Sequence, residues 1–154
     1  MIVLDCPLGI AYSAILTYAS HRDIRTRTVS DRVHLAILML AVIKVGLSAL
    51  RRQDIDMLDM AAGGLFSSLP LLVASMLTGG KIGGADIKLM AASGLLLGLN
   101  GGITALFIGL ILSVFGTILL CEYKKSDLRN SIPLVPYLSV GCFIVYLLKL
   151  TGVM

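Results

Sequence analysis

Residues 83–121 read GGADIKLMAASGLLLGLNGGITALFIGLILSVFGTILLC, two apolar runs divided by Asn100-Gly101-Gly102. The runs, 83–99 and 103–121, are close to the ~20 residues that a helix needs to cross the hydrocarbon of a bilayer. Their only charges, Asp86 and Lys88, stand at the beginning of the first run. In lipid each backbone N–H and C=O must be satisfied within the segment, so apolar runs of this length are read as helices packed on helices. The Asn-Gly-Gly step is expected to be a tight turn from one span to the next.

The same signature recurs outward from this stretch, at 2–20, 33–50, 60–78 and 134–150. The reading is an all-α, polytopic membrane protein: one transmembrane domain over residues 1–154, a bundle of about six helices. Asp5 and Pro7 make the outer end of the first span a candidate for irregularity. The chain is 57% hydrophobic and 14% charged, against about 25% charged for a soluble domain, with a mean hydropathy of +0.95. Sixteen glycines suit helices that approach closely. The net charge of +4 is read as loop charge biased to the cytoplasm, not as a nucleic-acid surface, because no basic and aromatic platform accompanies it. Cys6, Cys121 and Cys142 form no CxxC pair, and His21 and His34 are not four apart. No metal site or other cofactor is therefore expected. No basic stretch precedes the first apolar run, so no cleaved signal is expected.

Orientation follows from the basic residues. With six spans, loop 21–32, turn 79–82 and loop 122–133 share a side. That side carries Arg22, Arg25, Arg27, Arg32, Lys81, Lys88, Lys124, Lys125 and Arg129; the other carries Lys44, Arg51, Arg52 and Lys149. The richer side is expected to be cytoplasmic, with both termini outside. Asp23 closes the first span and Asp86 opens the fourth, so two intervening spans return both to that face.

Of the nine acidic residues, Asp54, Asp56 and Asp59 read as a solvated cluster in the outer loop, and Glu122 and Asp127 as loop charges. Asp86 differs, because apolar sequence follows it directly and Gly83 and Gly84 precede it. Each glycine costs a helix about 1 kcal/mol relative to alanine, which is explained if the backbone bends there or something comes close. Asp23 lies among arginines, and an i, i+4 pair with Arg27 is its plain structural explanation. As a pair the two carboxyls suit peptide hydrolysis: held close, they share a proton, one activating water while the other donates to the carbonyl oxygen. Lys88 is expected to moderate the pair, touch substrate or anchor the interface. Asp31 is expected to cap the next helix or orient its loop.

These motifs resemble those of type IV prepilin peptidases. Asp23-Ile24-Arg25-Thr26-Arg27-Thr28-Val29-Ser30-Asp31 is similar to that family's first aspartate motif. Gly83-Gly84-Ala85-Asp86-Ile87-Lys88 resembles its GxGD motif with a following lysine. Ile132-Pro133-Leu134-Val135-Pro136-Tyr137-Leu138-Ser139-Val140-Gly141 looks like its C-terminal Pro-x-x-Pro segment. Ala85 departs from the usual glycine, and Val29-Ser30 from the usual Ile-Pro. The resemblance implies a membrane aspartyl endopeptidase with Asp23 and Asp86 catalytic, and Gly83, Gly84, Lys88 and Asp31 supporting or contacting substrate. Its implied partners are the bilayer and a prepilin or pseudopilin with a basic leader before an apolar helix, cut at the cytoplasmic face of the inner membrane. Asp31 and Asp127 are available to a basic leader. The N-terminal methyltransferase region of many relatives is not expected here. Two other readings stay open: a GxGD protease for another membrane substrate, such as a preflagellin, and a non-enzymatic transporter or ion-pathway subunit.

Overall fold

The structure is a computed structural model that describes residues 2–26, 29–50, 56–80, 82–124 and 134–152. Arg27, Arg51, Arg52, Asp54, Lys81, Lys125, Asp127, Arg129 and Pro133 lie outside the described residues. Every regular element described is helical: α1 (Ile2–Thr26), α2 (Asp31–Leu50), α3 (Met57–Leu77), α4 (Gly84–Lys124) and α5 (Val135–Leu150). Three of them, α2, α3 and α4, are long and apolar enough to cross a membrane, and α5 is a shorter apolar helix. The described residues thus form five helices, where about six spans were expected.

The difference lies in α4, which takes up both the fourth and the fifth expected spans. Its backbone breaks at Gly98, with φ 73°, two residues before the expected Asn100-Gly101-Gly102 turn, which is itself helical. In a straight helix, residues eight apart are separated by about 12 Å. Here a Cβ placed on Gly102 would lie 3.1 Å from the Gly94 Cα, so the chain doubles sharply and its two arms touch. Gly98 takes the bend because only glycine accepts that φ readily. Its missing side chain also leaves the space that the Asp59 carboxylate fills.

The broken helix ends are met by charges from three other helices. Lys44 of α2 donates to the Leu96 carbonyl at 2.7 Å, and Lys149 of α5 to the Leu97 carbonyl. Asp59 of α3 accepts from the Leu99 N–H at 3.2 Å. Cations thus sit at the carbonyl end of the first arm and an anion at the N–H end of the second, the pairing favoured by the helix dipole. Asp59 is therefore no member of a solvated cluster. Asp56 has a separate duty as the N-cap of α3, accepting from the Leu58 and Asp59 N–H groups, worth about 1 kcal/mol.

Close helix approach does the rest. Gly63 of α3 lies directly against the backbone at Gly94 and Gly98, and Ser67 one turn on donates to the Met90 carbonyl at 2.8 Å. Tyr12, Ile37, Leu89, Met90, Leu97, Leu138 and Val145 fill the centre. Val42, Leu65, Phe66, Phe107, Phe115 and Leu119 point outward. Such a wide apolar exterior is costly in water and ordinary in lipid.

Candidate active site

The first span extends beyond its expected end. α1 continues to Thr26, which places Asp23 on a helix and not in a loop. Asp86 lies in the first turn of α4. Despite their arginine- and lysine-rich surroundings in the sequence, both are buried, Asp23 at 8% and Asp86 at 7% exposure. The carboxylates are near enough for the negative charge on Asp23 to act on Asp86. Asp86 Oδ1 is buried with no hydrogen-bond partner among the described residues. A buried carboxyl oxygen without a donor is costly, and that cost is removed if the group carries a proton or engages water or a substrate.

Gly83 explains itself. A Cβ there would lie 3.1 Å from Asp86 Oδ2, so a side chain would press on the carboxyl. Gly84 has open space around it and none of the crowding that the sequence suggested. Ala85 sits within the first turn of α4, where alanine is at least as good as glycine. The departure from the motif carries no backbone strain.

Lys88 and Asp31 are brought together: Nζ and Oδ1 are 2.7 Å apart. Both side chains are mostly exposed, so the pair is worth at most about 1 kcal/mol. Asp31 opens α2 but does not cap it. Instead Ser30 supplies its carbonyl to the Val33 N–H and its hydroxyl to the Arg32 N–H.

One buried residue beside the site was not singled out from the sequence. His34, at 8% exposure, places Nε2 3.1 Å from the Ala85 carbonyl. Its signal was available: an imidazole one residue inside an apolar run needs a partner. No group of residues suited to hold a metal occurs among those described.

Three helices long and apolar enough to cross a bilayer thus stand in one bundle with two buried carboxyls on different helices. The profile of the type IV leader peptidase family matches residues 10–121, and the chain belongs to that family. It is 26% identical over 140 residues to the prepilin leader peptidase/N-methyltransferase of Bacillus subtilis (strain 168). That match takes in 90% of this chain and 54% of the relative, so the chain spans about half the relative's length. No solved structure matches the chain significantly.

Proposed function

We propose that this protein is an aspartyl endopeptidase of the inner membrane, in which Asp23 and Asp86 are the catalytic pair. The observation that carries the reading is the burial of both carboxyls within reach of each other's charge, in a chain of the leader peptidase family. Hydrolysis by such a pair needs one carboxyl ionised and the other protonated. The ionised member takes a proton from water as it attacks the scissile carbonyl. The protonated member gives its proton to the carbonyl oxygen, then the roles reverse as the amine leaves. Asp86 Oδ1, buried and without a partner among the described residues, is suited to hold that water.

The substrate is a prepilin- or pseudopilin-like protein, cut between a basic leader and an apolar helix at the cytoplasmic face. Support for that face comes from the basic residues beside Asp23 and Asp86. It also comes from the far side, where two of the four counted cations, Lys44 and Lys149, are committed to backbone carbonyls. Asp31 is engaged by Lys88, so it is not the resting partner of a basic leader, and the pair must open if the leader uses it.

The test is cleavage of co-expressed prepilin-type substrates, with the leader and helix varied across a panel. Asp23→Asn and Asp86→Asn are each expected to abolish leader removal while the protein still inserts. Full cleavage by either variant sinks the dyad.

A further inference from the structure

Four residues tie the start of α2 to the start of α4. Asp31 and His34 are one helical turn apart, and so are their partners Lys88 and Ala85. The outer rung, Asp31–Lys88, is exposed. The inner rung, His34 to the Ala85 carbonyl, is buried and reaches the peptide unit that leads into Asp86. That unit is gripped at both ends. Its carbonyl faces His34 Nε2 at 3.1 Å, and its N–H, which is that of Asp86, donates to the Gly83 carbonyl at 3.1 Å. A peptide plane held on both edges fixes the Asp86 Cα and the direction in which its side chain leaves.

We infer that His34 is a positioning residue for Asp86, acting through the Ala85–Asp86 peptide, an assignment that rests on the peptidase reading above. A carbonyl oxygen only accepts, so Nε2 carries the hydrogen and donates. Nδ1 is 3.8 Å from Asp31 Oδ1, too far for a hydrogen bond. The ring charges facing it are Asp31 on its own helix and Lys88 on α4. Protonation adds a hydrogen at Nδ1, toward Asp31, and leaves the Nε2 donor in place. The hold on Ala85 therefore needs a donor at one point, not an imidazole as proton carrier. This sets His34 apart from the acid–base pair it serves.

The purified full chain in nanodiscs, given a synthetic leader–helix peptide, separates the possibilities. His34→Leu is expected to lower kcat roughly ten- to a hundredfold, as sub-ångström misplacement of a reacting group does, with KM within about twofold. His34→Gln, whose amide presents a donor near the Nε2 position, is expected to recover most of the rate with the wild-type pH profile. A second readout needs no catalysis: the thiol of Asp86→Cys, labelled with a small maleimide, should react several-fold faster when His34→Leu is added, because the local turn opens more often. Should His34→Leu fail to insert, His34→Asn, whose shorter amide stops short of Ala85, takes its place. Unchanged kcat and unchanged labelling overturn the assignment. So does a His34→Gln variant as slow as His34→Leu with a displaced pH limb, which would make the imidazole a proton carrier. If the wild-type chain cleaves no leader peptide, the peptidase reading fails while the labelling rates still decide the hold on Asp86.

Discussion

The two ends of α4's first arm use buried polarity in opposite ways. At Gly98 three backbone groups meet charges: the Leu96 and Leu97 carbonyls have lysines, and the Leu99 N–H has an aspartate. At the other end, Asp86 is buried with one oxygen unpartnered among the described residues. Satisfied charge fixes a shape, whereas unsatisfied charge stores a demand that a proton, a water or a substrate can meet. The contrast separates a structural polar site from a candidate reactive one within a single helix, where apolar context alone treats both alike.

The comparison can be broken most sharply at the aspartates. Removing either carboxyl's acid–base capacity should lower leader cleavage by at least about a hundredfold, with thermal unfolding in detergent almost unchanged. A large loss of stability in Asp86→Asn would instead make the aspartate part of the scaffold. Next in size is Gly98→Val. A β-branched residue at this φ, against the Asp59 carboxylate, should destabilise by about 3 kcal/mol or more, seen as a lower detergent unfolding temperature and poor yield. Lys149→Met leaves the Leu97 carbonyl without its cation and should cost about 1–3 kcal/mol, read in the same melt, with residual activity per folded molecule preserved. Ala85→Gly sets the lower limit. It restores the common motif residue but should lose up to about 1 kcal/mol of helix stability and leave kcat within about twofold. A large gain in rate would show that the Ala85 methyl obstructs the site.

The helices were legible because lipid demands long apolar runs, and all six of those runs begin or end within a few residues of a helix boundary. The break was displaced because Asn100-Gly101-Gly102 is a strong local turn signal, whereas Gly98 wins through a tertiary fact, the Asp59 carboxylate standing beside it. The lysines could have been noticed as lone cations: Lys44 inside one apolar run and Lys149 at the close of another. Their partners are backbone carbonyls freed by the break, and no residue type marks those. Asp23 and Asp86 could be paired by counting spans. Asp31 was expected to cap α2 or orient its loop, and its ion pair with Lys88 depends on how α2 approaches α4, which no local pattern states. His34 shows the same limit, for its acceptor is a carbonyl 51 residues away.

The closure of the Gly98 break also has an order in time. As the chain emerges, Asp59 is already made when Leu99 appears, and so is Lys44 when Leu96 does. The Leu97 carbonyl has to wait for Lys149, 52 residues further on. Until α5 arrives, the Leu97 carbonyl lacks the ammonium that meets it in the folded chain. The last helix to be made thus supplies the last of the three charges that close the break.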